Sequence, residues 1–359
     1  MQEFFCKTKI LSGPGAVQAL GEMGCRRLFL VVDPYFAKNG TAARLAKLSG
    51  AEAVEVFDKV QPDPTVALAA EGTAAVKAFA PDTVVALGGG SAMDCAKAMV
   101  YFSGLQLHFV AIPTTSGSGS EVTDFAILTH ENVKHPLVDP ILCPDTAILD
   151  TELLTELPRS LIADAGFDVL SHAAEAMVAT NAGAMTDALA HAAFAKAFRS
   201  LKRSFDGDLC ARAQMHEAAT MAGIAFNRAG LGVCHALAHS LGGAFHIPHG
   251  RLNAILLPAV VELNAAAAAE KYAALAECAG IGTNARALAV RNLKTGLARL
   301  RRELELPQTL LQAGVDGYQL RRQKKDLIDA ALADPCCKTN PVPVKAADVE
   351  RILEAVSGG

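Results

Sequence analysis

An aspartate and a set of histidines fall between residues 168 and 249 in a spacing suited to a metal: Asp168-Val-Leu-Ser-His172, His235-Ala-Leu-Ala-His239 and Pro248-His249-Gly250. Asp168 and His172 are four residues apart, as are His235 and His239. On a helix such pairs leave one face with Cβ atoms about 5–6 Å apart, so two facing pairs could offer converging ligands. A carboxylate with imidazoles is a mixed oxygen and nitrogen set that suits Fe(II) or Zn(II) and is too rich in nitrogen for Mg or Ca. None of the nine cysteines belongs to the cluster, which speaks against a structural thiolate zinc site. A single histidine on a helix is ordinarily just a polar residue. It is the set Asp168, His172, His235 and His249 that points to a metal.

A second group of residues suits a phosphate. Gly88-Gly-Gly-Ser91-Ala-Met-Asp94 follows a predicted strand and opens a predicted helix. Glycines there let backbone N–H groups approach a phosphate, and the helix N-terminus adds favourable partial charge. A tight strand-to-helix turn accounts for this stretch equally well by itself. The second loop, Pro113-Thr114-Thr115-Ser-Gly-Ser118-Gly-Ser120, also stands at a strand end, and open parallel sheets bind ligands beyond their strand C-termini. Asp33 ends the first long strand. In the usual dinucleotide fold an acidic residue at a comparable place holds the adenosine ribose, but it follows the glycine loop. Here it precedes that loop by 55 residues, which implies a variant topology, and a plain turn residue before Pro34 is the competing explanation.

These residues need elements to hold them. Apolar runs at 28–32, 53–57, 83–87 and 108–112 read as strands, separated by helical stretches at 41–48, 65–79 and 91–102. Such alternation predicts a parallel α/β sheet. Further β-like segments are 122–128 and 147–149. From Pro158 strand signals disappear, and helices are expected at 160–179, 184–202, 210–226, 232–243, 251–277 and 285–304, then near 308–314, 322–332 and 346–356. The expected organisation is an α/β dinucleotide-binding domain over 1–158 and an all-α metal-binding catalytic domain over 159–359.

Length and composition agree. A chain of 359 residues with 51% hydrophobic and 19% charged residues is expected to be a well-buried, two-domain, oligomeric soluble enzyme. A net charge of −4 gives no footprint for nucleic acid or an anionic membrane. The longest apolar stretch, near 254–261, contains Pro258 and reads as far short of a membrane span. The N-terminus lacks a basic segment followed by an apolar one, and the nine cysteines show no framework spacing. Reduced thiols in the cytoplasm are the expectation, with Cys234 a small buried hydrophobe.

Taken together, GGGSAMDCAKA (88–98), PTTSGSGSEVT (113–123), AGFDVLSHAAEA (165–176), GLGVCHALAHSLGGAFHIPHGRLNAILLP (230–258) and ALADPCCKTNPVP (331–343) resemble the iron-containing (group III) alcohol dehydrogenases. The likeness runs along almost the whole chain and is greatest to the 1-propanol dehydrogenase branch of microcompartment propanediol utilisation. It implies the two-domain fold shared with dehydroquinate synthase, with the active site between the domains. It implies that Asp168, His172, His235 and His249 hold Fe(II), with Zn(II) as the alternative, and that His239 is a second, non-ligating histidine able to relay a proton. NAD(H) is the implied cofactor, contacted through Asp33, Gly89, Gly90, Ser91, Asp94, Thr114, Thr115, Ser118 and Lys134, where Ser118 replaces a commoner threonine. The implied reaction interconverts a short aldehyde such as propanal with its alcohol. A homodimer or larger is implied, with N-terminal strands pairing between subunits through Glu3–Ile10, in the cytoplasm or inside a microcompartment. His246 is expected to pack or gate solvent. Competing assignments are a glycerol-dehydrogenase-like enzyme for a polar alcohol, a 3-dehydroquinate synthase-like lyase, and a non-catalytic shell-associated protein.

Overall fold

The computed structural model describes residues 4–131 and 133–358, which separate into two compact units, one over 5–157 and one from Pro158 onward. In the first unit the described residues build a six-stranded parallel sheet from β1 (Lys9–Ser12), β2 (Arg27–Val32), β3 (Ala53–Phe57), β4 (Thr83–Gly88), β5 (His108–Pro113) and β8 (Thr146–Leu149), in the order β1-β8-β5-β4-β2-β3. Strands β6 (Phe125–His130) and β7 (Val133–Val138) form a separate antiparallel hairpin. Helices α1 (Pro34–Lys38) and α2 (Thr41–Ser49) follow β2, while α3 (Val66–Phe79) and α4 (Gly90–Ser103) lead into β4 and β5.

The near-continuous apolar runs of the inner strands have a direct cause: both faces of the sheet are covered. Phe29, Val31, Val84, Ala86, Phe109 and Ala111 point to the side of α3 and α4. Leu28, Leu30, Val32, Val85, Leu87, Val110 and Ile112 point to the side of α2. The chain leaves β2 toward β3 on one side and leaves β4 toward β5 on the other, so the carboxyl ends of β2 and β4 flank a topological switch point. Ligands of open α/β sheets bind in such crevices.

From Pro158 the described residues are helical: α5 (Arg159–Val178), α6 (Ala184–Phe205), α7 (Leu209–Ala229), α8 (Val233–Phe245), α9 (His249–Cys278), α10 (Arg286–Glu303), α11 (Gly317–Ala333) and α12 (Ala346–Ser357). Helix α5 is buried almost all round, the mark of a central helix. Helix α9 packs against α5, α8 and α10. At 30 residues it is long and apolar enough by length and composition to cross a membrane, a test that a buried core helix also passes. Its inward-facing Asn253 and Asn264, both fully buried, make it a core helix of this unit.

Two other expectations need correction, and a third is located. The helix expected at 308–314 is a run of turns, because the N–H groups of Leu310 and Leu311 donate to the carbonyls of Val356 and Ser357 at the end of α12 rather than to a helical ladder. The β-like segment at 122–128 begins at Phe125, since Ser120–Val122 forms a 3-10 turn, and it continues into a hairpin. Of the segment Glu3–Ile10, Glu3 lies outside the described residues, and only Lys9 and Ile10 belong to a strand, which pairs in parallel with β8 of the same chain.

Candidate metal centre and cofactor loops

Three helices deliver the ligand-type residues. Asp168 and His172 leave α5, His235 and His239 leave α8, and His249 opens α9. Asp168, His172 and His235 form a close group, with one ligand atom of each within 4.8 Å of the others. The His172 and His235 rings stack at 4.5 Å. His249 joins through Asp168, its Nε2 lying 3.5 Å from Oδ1, and Nε2 of His235 lies 3.8 Å from the same oxygen. Close approach of α9 to α5 requires Gly250, where an added Cβ would lie 2.0 Å from the Asp164 carbonyl oxygen.

The donor set fits a divalent cation. Nδ2 of Asn253 donates to Asp168 Oδ1 at 2.8 Å and lies 3.3 and 3.1 Å from Nε2 of His235 and His249. Lone pairs from three helices are thus aimed at one electropositive group, which is the arrangement a metal needs. Burial opposes the charge on Asp168, but the surrounding histidines outweigh it and hold its carboxyl well below the usual range. His235 is likewise disfavoured as a cation by burial, yet hydrogen bonds to Asp168 and Glu175 lift it to about 9, so a metal held at its Nε2 would take the place of a proton. Burial pushes His249 down, toward the neutral imidazole that a metal takes. The Cys234 thiol is fully buried and pushed well above its ordinary value by burial, and it points at Oδ1 of Asn253 at 3.5 Å.

His239 stands beside this group, its ring stacked 5.1 Å from that of His249. Its Nδ1–H donates to Asp334 Oδ2 at 2.8 Å, which leaves Nε2 as the working nitrogen. Burial works against the Asp334 carboxylate, but the bond to His239 prevails and its pKa falls to about 2. His246 is exposed and caps α8 in the left-handed region; it turns the chain between the two ligand-bearing helices.

Sequence reasoning missed Glu175, Asn253 and Asp334. A signal existed for the first two: Glu175 is seven residues after Asp168 and three after His172, and Asn253 is four after His249, all helical same-face spacings. Asp334 lies in a loop 95 residues from its partner, and no local pattern reveals it.

In the first unit, strand register assembles the loops. Val32 pairs with Leu87, and Gly88 pairs with Pro113, so Asp33, the glycine turn and the Pro113 loop all sit at the carboxyl edge of three adjacent strands. Gly88 has φ +155°, and a Cβ there would meet Ala92 at 2.6 Å and Asp33 Cβ at 3.3 Å. Asp33, 55 residues earlier in sequence, is therefore its neighbour in space. The backbone of Gly89 and Gly90 lies against Thr115 and Ser118, where added Cβ atoms would come within 3.2 Å of the hydroxyl oxygens. Thr114 is buried and Ser91 half-buried. Asp94 ties the loops together, accepting from Ser120 Oγ–H at 2.9 Å and from the Ile127 N–H at 3.2 Å. Lys134 lies on β7 and pairs with Asp63 at 2.7 Å, so its contact is with that carboxylate.

Comparison with known proteins gives a consistent picture. Residues 7–151 match the family described as iron-containing alcohol dehydrogenase, and residues 162–357 match the C-terminal part of the Fe-containing alcohol dehydrogenase family. The chain is 39% identical to 1-propanol dehydrogenase PduQ of Citrobacter freundii, over 99% of each chain. Among solved structures, an iron-containing alcohol dehydrogenase from Thermococcus thioreducens superposes with a TM-score of 0.93 at 32% identity, covering 99% of this chain and 100% of that one. Sulfoacetaldehyde reductase from Bifidobacterium kashiwanohense, in complex with NAD+, superposes with a TM-score of 0.90 at 26% identity, covering 100% of this chain and 99% of that one.

Proposed function

The chain belongs to the iron-containing alcohol dehydrogenase family, and we propose that it is a metal-dependent, NAD(H)-linked alcohol dehydrogenase that reduces short aldehydes such as propanal. One observation carries this: Asp168, His235 and His249 aim acceptor atoms from three helices at a common point, with His172 against His235 and His239 alongside. When bound, a divalent metal supplies Lewis-acid polarisation of a carbonyl oxygen and NAD(H) supplies the hydride. Asp168 contributes the negative charge of the ligand set, and His172, His235 and His249 its neutral imidazoles. Iron(II) is the proposed metal and zinc(II) the alternative, since the set accepts both. His239, held through Nδ1 by Asp334, moves the proton to or from the substrate oxygen at Nε2. Asp33 accepts the ribose hydroxyls, while the N–H groups of Gly89, Gly90 and Ser91 and the hydroxyls of Thr114, Thr115 and Ser118 cradle the pyrophosphate; Asp94 holds these loops in register. Lys134 supplies positive charge from the hairpin.

The likeness to 1-propanol dehydrogenase supports the substrate class, and a cytoplasmic place of action, inside a microcompartment where one is made, belongs to the same proposal. The protein works as a homodimer or larger assembly.

Purified protein should carry about one divalent metal per chain, oxidise NADH with propanal, and stop on chelation. His249→Ala should lose most of its metal and its activity. Full metal content and rate in that variant would overturn the ligand set.

A further inference from the structure

The structure assigns to Glu175 the role of positioning residue for His235: one buried carboxylate fixes the imidazole and, with the same two oxygens, holds the start of α8 on which that imidazole rides. This rests on the proposed ligand role of His235. Glu175 is only 2% exposed and projects from α5 on the face that carries Asp168 and His172. Its Oε2 accepts from His235 Nδ1–H at 2.6 Å, from the Gly232 N–H at 2.9 Å and from the His235 N–H at 3.3 Å. Its Oε1 accepts from the Cys234 N–H at 2.7 Å.

Two features set this carboxylate apart from a routine buried acid. First, it replaces the missing cap of α8. The N-cap residue is Gly232, which has no side chain to satisfy the first N–H groups, so an acid from another helix supplies the acceptor and meets the positive end of the helix dipole. Second, the capping oxygen also takes the imidazole proton. With Nδ1 committed to Glu175, Nε2 is the ring nitrogen left facing Asp168 and Asn253, the one open to a metal. A carboxylate behind a ligating histidine fixes its tautomer and raises its basicity. The arrangement is tight: a Cβ on Gly232 would lie 2.6 Å from Glu175 Oε1 and 2.8 Å from Asn340 Oδ1.

Glu175→Gln keeps the shape but cannot keep the chemistry. Its amide oxygen can serve one end, and its NH2 then opposes either the Cys234 N–H or the His235 and Gly232 donors. Gly232→Ala displaces the carboxylate without changing it. The test is titration of the metal-free full-length protein with Co(II), with Kd read by chelator competition and the ligand set read from the visible absorption bands. Both variants should bind Co(II) about 10–100-fold more weakly than wild type, with altered bands, while their far-UV circular dichroism matches wild type. Should Glu175→Gln fail to fold, Gly232→Ala and Glu175→Asp carry the same measurement. Unchanged Kd and bands in the folded variants would overturn the positioning role. A wild-type protein that takes up no Co(II), or a His235→Ala variant that binds as wild type does, would instead overturn the ligand reading beneath it.

Discussion

Asp33 carries two loads. Its Oδ1 accepts from the Tyr35 N–H at 2.9 Å as the N-cap of α1, and in the proposed function its carboxylate, beside the glycine turn, accepts from the cofactor ribose. A 2′-phosphate brings roughly −2 charge, and repulsion in a shielded crevice is worth about a few kcal/mol. Wild type should therefore prefer NADH to NADPH by about 100-fold in kcat/KM, at roughly 1.4 kcal/mol per tenfold. Asp33→Gly should narrow or reverse that preference with metal content unchanged, because glycine is a tolerable N-cap that costs only about a few tenths of a kcal/mol. Equal kcat/KM for the two cofactors in wild type would remove Asp33 from the site. Asp334 lends itself to a pH test. Its pKa is lowered from an ordinary value of 3.8 to about 2, so the unfolded state binds more protons between those values. Its stabilising contribution is thus complete above the unfolded value and is lost as pH falls through about 2. Asp334→Asn should lower stability to urea at pH 7, with the difference from wild type shrinking below about pH 4. Without an acceptor for Nδ1–H, kcat should fall about 10–100-fold while bound metal stays constant. An undiminished kcat would show that His239 needs no orienting partner.

At the scale of elements, the metal centre depends on how closely α9 approaches α5. An alanine at position 250 would place its Cβ 2.0 Å from the Asp164 carbonyl oxygen, a backbone atom that cannot swing aside. Overpacking of this kind costs about 1–3 kcal/mol. Gly250→Ala should lower Tm by several degrees and weaken metal binding together, since the same shift carries His249 and Asn253 away from Asp168. Measuring Tm by calorimetry and metal Kd on one preparation separates the outcomes: a lower Tm with unchanged Kd would mean that the ligand geometry does not depend on this contact. Helix α8 is a contrasting case. It begins at a glycine with no cap of its own and takes its first acceptor from Glu175 on α5, so its start is set by tertiary structure rather than by local preference.

For the whole molecule, assembly is the open physical question with a clear prediction. Strand β1 ends the sheet order and pairs only with β8 among the described residues, and its Ile10 is 38% exposed. An edge strand with an exposed apolar residue is a template for pairing with another chain. At micromolar concentration, sedimentation or light scattering should give at least twice the 37.4 kDa chain mass. Replacement of Ile10 by Lys should shift the mass toward the monomer if β1 is the seam. A strictly monomeric wild type would defeat the assembly.

The amino-acid sequence by itself determined the elements and the type of chemistry. Near-continuous apolar runs between helical stretches specify a covered parallel sheet, since a strand buried on both faces leaves that pattern whatever its neighbours. The i, i+4 pairs Asp168/His172 and His235/His239 are fixed by helix geometry alone, and the same geometry carried the unread signals at Glu175 and Asn253. The turns at 308–314 were misread because their N–H groups are claimed by carbonyls at the end of α12, almost 50 residues away, which local propensity does not register. Only the tertiary structure decided that Asp33 lies beside Gly88: strand order puts β4 against β2, whereas the chain places β3 between them. It alone paired His239 with Asp334, and it turned Lys134 to Asp63. A hydrogen bond between residues 95 positions apart depends on where two helices and a loop settle, and no periodicity within either segment encodes that.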